Sequence, residues 1–145
     1  MSKTEKEYFG FNLTELIDLM SNVQIKETKF SEKKYTEELI RLSKDIDIIL
    51  NKKKIKISAK ILRKIIFVSI SNLLVWEFKD LMLEKKNHYD KILKKALQLN
   101  SIRNTTTNSL MRDFNEYQLS KKRITDFTKK DVKWVNYLKK KLNDK

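Results

Sequence analysis

Apolar side chains recur along this chain at intervals of three and four residues, the spacing that gathers them on one side of an α-helix. Asn12 stands three residues before Glu15, the spacing of a capping box, and Leu13, Leu16, Ile17 and Met20 carry a helical face to about Asn22. Residues 23–30 alternate weakly through Val23 and Ile25 and read as a loop, since a lone strand has nothing to pair with. A second helix starts after Ser31. Tyr35, Leu39, Leu42, Ile46 and Ile49 form its heptad-like stripe, while Glu32, Lys33, Glu37, Arg41, Lys44 and Asp45 give a mixed-charge outer face suited to solvent.

Asn51 to Ile57 interrupts the pattern, and Ser58 is placed to cap a third helix running to about Lys85. Its middle, from Ile61 through Ile65, Val68 and Leu73 to Phe78, is apolar nearly all round, which predicts a helix enclosed by the others. Lys85 to His88 is a polar break. Tyr89, Ile92, Leu93, Ala96 and Leu97 then mark a fourth helix, which the poor helix formers Asn104, Thr105, Thr106 and Thr107 should stop or kink between Asn100 and Asn108. A fifth helix follows through Leu110, Met111, Phe114 and Tyr117 to about Leu119. The last begins near Thr128, three residues before Asp131, and carries Val132, Val135, Leu138 and Leu142. The pattern predicts an all-α, single-domain bundle of five or six helices around a central apolar helix at about residues 58–85, with 1–11 and 143–145 as frayed ends.

Composition narrows the chemistry. No Pro and a single Gly, Gly10, in 145 residues leave few helix breakers and few positions suited to tight hairpins. The absence of Cys excludes disulfides, thiolate nucleophiles and Cys-ligated metal sites. Lys3, Glu5, Lys6 and Glu7 stand where a signal peptide would need an apolar stretch, and the longest uncharged run, Ile65 to Trp76, is far short of the ~20 residues that cross a bilayer. No transmembrane segment and an intracellular, cytoplasmic location are expected.

Charge is distributed unevenly. Residues 1–50 hold eight Lys/Arg against ten Asp/Glu and residues 51–145 hold twenty-five against nine, so the net charge of +14 arises entirely from the second part. The densest segment is Lys52, Lys53, Lys54, Lys56, Lys60, Arg63 and Lys64, without an acid among them. Set in a loop and at a helix N-terminus, these cations oppose the helix macrodipole, an arrangement that an outside anion would relieve. Further on, Lys121, Lys122, Arg123, Lys129, Lys130, Lys133, Lys139, Lys140 and Lys141 are interleaved with Phe127, Trp134 and Tyr137, aromatics of the kind that stack exposed bases. Asp131 breaks that face and argues against docking on a membrane surface. Heavy use of Lys, Asn and Ile also fits A/T-rich codon bias, which raises charge without selecting for a partner.

One His, His88 in a polar turn, cannot build a histidine metal site, and neighbouring acids such as Glu37 and Glu38 do not point to one spot. The string Arg103-Asn104-Thr105-Thr106-Thr107-Asn108 resembles the Arg-Asn-x-x-x-His signature of HEPN-domain ribonucleases, small all-α proteins whose Arg and His converge, usually across a dimer, to cleave RNA. Asn108 stands where that signature has His, so the resemblance implies a degenerate, catalytically silent relative.

The residues thus point to a non-enzymatic helical protein, without cofactor or metal, that binds an anionic partner, foremost nucleic acid through its phosphates. Lys52, Lys53, Lys54, Lys56, Lys60, Arg63 and Lys64 form one contact surface; Lys129, Lys130, Lys133, Trp134, Tyr137 and Lys140 form another. The alternatives are an interaction module docking an acidic protein and the degenerate HEPN-like domain, with homo-oligomerisation open in each case.

Overall fold

The computed structural model describes residues 11–116, and among them every element is helical. Helix α1 spans Leu13–Phe30, α2 Lys33–Lys53, α3 Ala59–Glu84 and α4 Tyr89–Asp113, with a short 3₁₀ turn at Lys86–His88. The expected helix beyond Thr128 lies outside the described residues, so the count among them is four.

Helices α1 and α3 begin at the side-chain caps expected for them. Asn12 accepts from the Glu15 amide at 2.8 Å while the Glu15 carboxylate accepts from the Asn12 amide at 3.5 Å, and Ser58 accepts from the Ile61 amide at 3.3 Å. Helices α1, α2 and α4 close on left-handed residues other than glycine: Ser31 (φ 52°), Lys54 (φ 53°) and Asn115 (φ 59°). At Lys54 and Asn115 the turn is a Schellman motif, in which the next amide reaches back five residues, Ile55 to the Leu50 carbonyl at 2.9 Å and Glu116 to the Met111 carbonyl at 2.6 Å.

Three boundaries differ from those read in the pattern. Residues 23–30 are the second half of α1, not a loop: Val23 continues the stripe of Leu16 and Met20 and is buried, and Gln24, Glu27 and Thr28 bond to one another along the turn. Residues 100–108 neither stop nor kink α4. The Thr105, Thr106 and Thr107 hydroxyls donate to the carbonyls of Ser101, Ile102 and Asn104 at 3.1, 3.0 and 2.9 Å, and buried Arg103 and Leu110 on either side hold the segment helical. The separate fifth helix reaching Leu119 is therefore the end of α4, closed at Asp113 by the turn at Asn115.

Leu13, Leu16, Ile17, Val23, Leu42, Ile46, Val68, Leu110 and Phe114 make one core to which all four helices contribute. Met82, Tyr89 and Leu93 form a smaller cluster at the α3–α4 turn. Helix α2 lies chiefly on α1 through the predicted stripe, with Leu42 and Ile46 buried and Tyr35, Leu39 and Ile49 half-buried. Helix α3 spans the predicted range, but among the described residues it is not enclosed. It packs on α1 and α4 through Val68, Ser71, Asn72 and Met82, and its opposite face exposes Leu62, Ile66, Ile70 and Leu73.

Two polar devices tie distant segments together. The Glu116 carboxylate, 2 % exposed, accepts from the amides of Leu13 at 2.6 Å and Thr14 at 3.1 Å and from the Thr14 hydroxyl at 2.9 Å, supplying a negative charge to the α1 N-terminus. Midway along the bundle, the Arg103 guanidinium donates to Asp18 and to the Asn72 side-chain carbonyl at 2.6 Å. Asn72 in turn donates to Asp18 at 2.7 Å and to the Ser21 hydroxyl at 3.2 Å.

Candidate anion-binding surface

The α1 N-terminus, the α2 C-terminus, the α3 N-terminus and the α4 C-terminus meet at one end of the bundle, where Lys53 and Lys64 reach the acids that follow α4. The first basic segment is laid out across this end. Lys52 and Lys53 occupy the last turn of α2, Lys54 the left-handed cap, Lys56 the connecting loop, Lys60 the first turn of α3, and Arg63 and Lys64 the next turn.

This layout corrects the electrostatic expectation. Because α2 runs on to Lys53, Lys52 and Lys53 lie at a helix C-terminus, where the macrodipole favours cations. Only the cations opening α3 oppose it, and no acid in that first turn compensates them.

The seven cations also divide by partner. Lys53 lies 3.6 Å from the buried Glu116 carboxylate, and Lys64 forms an ion pair with Asp113 at 2.5 Å. Each is committed to holding the α4 end in place. Lys52, Lys54, Lys56, Lys60 and Arg63 are exposed, and none forms an ion pair with a carboxylate among the described residues. Five mobile cations on twelve consecutive residues give a surface able to take several phosphates without desolvating any acid. Glu116 and Asp113, which trim the set from seven to five, carry no local signal: Asp113 is 49 residues from Lys64.

The second predicted surface, Lys129, Lys130, Lys133, Trp134, Tyr137 and Lys140, lies outside the described residues. His88 is exposed in the α3–α4 turn, and no group of three or more His, Asp or Glu side chains able to hold a metal occurs among the described residues. Nor is any helix among them long and apolar enough to cross a membrane.

Arg103, the arginine of the HEPN-like string, is 6 % exposed and engaged with Asp18 and Asn72. It is spent on joining α1, α3 and α4 and does not present its guanidinium to a bulky substrate. Compared with protein-family models, curated proteins and solved structures, the chain has no significant match.

Proposed function

We propose that this chain is a non-enzymatic helical protein that binds nucleic acid through backbone phosphates, using the α2–α3 end of the bundle. The observation that carries the reading is the division just described: among the described residues, Lys52, Lys54, Lys56, Lys60 and Arg63 are exposed and form no ion pair, beside two cations that have acids. The buried pairing of Arg103 and the Asn at position 108 favour binding without cleavage.

Anisotropy titrations of labelled RNA, single-stranded DNA and duplex DNA across a salt series test this. Each phosphate contact contributes about 0.7 to 0.9 to the slope of log affinity against log salt. Replacing Lys52, Lys54 and Lys56 by Glu should weaken binding to every nucleic acid alike and reduce the slope by about 2 to 3, with helicity unchanged by circular dichroism. A slope that stays the same removes this surface. A cellular partner retained on the wild-type chain after nuclease digestion, and lost from the triple variant, would assign the same cations to an acidic protein.

A further inference from the structure

The uncovered side of α3 is patterned. Leu62, Ile66, Ile70 and Leu73 are 49, 50, 51 and 38 % exposed and, at about 100° per residue, fall within one ~80° arc. Val68, Ser71 and Asn72, which pack inward, lie on the other side. Scattered apolar side chains are ordinary on a protein surface, whereas an aligned row of four marks a contact. Beyond Leu73 the same arc turns acidic with Glu77, Asp80 and Glu84, all exposed and none in an ion pair among the described residues.

The chain continues past Glu116 for 29 residues, and these carry an apolar row of matching length. Val132, Val135, Leu138 and Leu142 repeat at helical spacing over about 15 Å, close to the ~16 Å from Leu62 to Leu73. The segment's acids are Asp126, Asp131 and Asp144, and Lys139, Lys140 and Lys141 form an unbroken basic run between the last two. It departs from the right place. Glu116 sits against Leu13 and Lys53, and nearby Asp113 reaches Lys64 two residues past Leu62, so the chain leaves at the α3 N-terminal end. The 11 residues from 117 to 127 can span up to about 36 Å, ample for a segment that starts at the same end of α3.

We propose that residues 128–142 dock on α3 in the same direction as α3, with Val132, Val135, Leu138 and Leu142 against Leu62, Ile66, Ile70 and Leu73 and with Lys139–Lys141 toward the acidic stretch of α3 that opens with Glu77. A second copy is the weaker occupant. The row exposes only a few hundred Å², short of the ~800 Å² per partner of a stable dimer, whereas a tethered segment meets the face at an effective concentration near the millimolar range. The proposal stands apart from nucleic-acid binding and is tested without any ligand.

The natural absence of Cys allows a direct test on the full chain. With Ile70→Cys and Leu138→Cys together, mild oxidation should give an intramolecular disulfide, seen as a fast-migrating monomer and a cross-linked peptide by mass spectrometry, with a yield independent of protein concentration. Replacing Glu77, Asp80 and Glu84 by Lys should lower the rate several-fold, and adding Lys139, Lys140 and Lys141 to Glu in the same chain should restore it. Circular dichroism confirms that each variant is folded. Cross-linked dimers whose yield rises with concentration would assign the face to a second copy and overturn the proposal. So would a monomer yield no greater than that of Lys44→Cys with Leu138→Cys, a pair reporting random encounter on the outer face of α2.

Discussion

Removing the Arg103 guanidinium should test how much of this fold rests on one polar junction. Arg103 is 6 % exposed, donates to Asp18 and Asn72, and thereby links α4 to α1 and α3. Arg103→Ala leaves one Asp18 oxygen and the Asn72 carbonyl without their donor, although Asn72 still donates to the other Asp18 oxygen, and breaking a buried pair from one side costs about 3 to 5 kcal/mol. Asp18 keeps 26 % of its side chain in contact with solvent, which screens the stranded charge and places the cost near the lower end, about 3 kcal/mol. Against a total of about 5 to 15 kcal/mol that is a large fraction, and it corresponds to about 10 °C in Tm. Urea unfolding followed by Trp fluorescence and by circular dichroism gives the cost directly. Arg103→Lys keeps the charge but loses the planar fork and should lose less, about 1 to 2 kcal/mol. A cycle combining Arg103→Ala with Asp18→Asn should show a coupling of at least ~1 kcal/mol. A loss below ~1 kcal/mol for Arg103→Ala, or additivity within ~0.5 kcal/mol, would refute the junction's structural role.

Four further outcomes are expected. Burial, and secondarily the Asp90 carboxylate, raise the pKa of the Tyr89 phenol, whose hydroxyl finds no hydrogen-bond partner among the described residues. Because the unfolded phenol ionises first, stability is complete below pH ~10 and falls as pH rises above it; Tyr89→Phe should flatten that alkaline loss in pH-dependent melts and cost nothing at neutral pH. Lys54→Gly relieves a left-handed residue and should raise stability by about 1 kcal/mol in urea titration, while lowering the nucleic-acid salt slope by about 0.7 to 0.9, so that fold and binding move in opposite directions. Glu116→Ala strips three hydrogen bonds from the α1 N-terminus and should cost about 2 to 3 kcal/mol by thermal denaturation. Finally, a short RNA added to the Ile70→Cys, Leu138→Cys chain should slow disulfide formation several-fold, since phosphates compete with the acidic stretch of α3 for Lys139–Lys141; an unchanged rate would separate the docked segment from nucleic-acid binding.

How much of this was legible depended on whether the deciding interaction was local. Helix starts at Asn12 and Ser58 could be read because the cap and its amide are three residues apart. Helix ends were harder to read, since a chain with one Gly closes α1 and α2 with Ser31 and Lys54, neither of which announces a left-handed turn, and only Asn115 after α4 is of a type that favours one. The threonine run misled for a related reason: poor intrinsic propensity was overridden by the anchoring of Arg103 to Asp18, 85 residues away. The α2 stripe was visible as period and proved to face α1. Apolarity all round α3 predicted enclosure, but period alone does not say which elements supply it. At the basic surface, Lys52 to Lys64 were identifiable as a cluster, while the removal of Lys53 and Lys64 from it by Glu116 and Asp113 is a tertiary fact with no trace in spacing.

The Glu116 clamp also sets an order of events at the ribosome. Its carboxylate and the Leu13 amide it receives are 103 residues apart, so α1 waits for its terminal counter-charge until nearly all the described chain has been made. At ~5 to 20 residues per second that delay is on the order of 5 to 20 s, far longer than a helix needs to form. Through that interval the core also lacks Leu110 and Phe114, so the last turn of α4 and the glutamate behind it complete the apolar core and the α1 cap together.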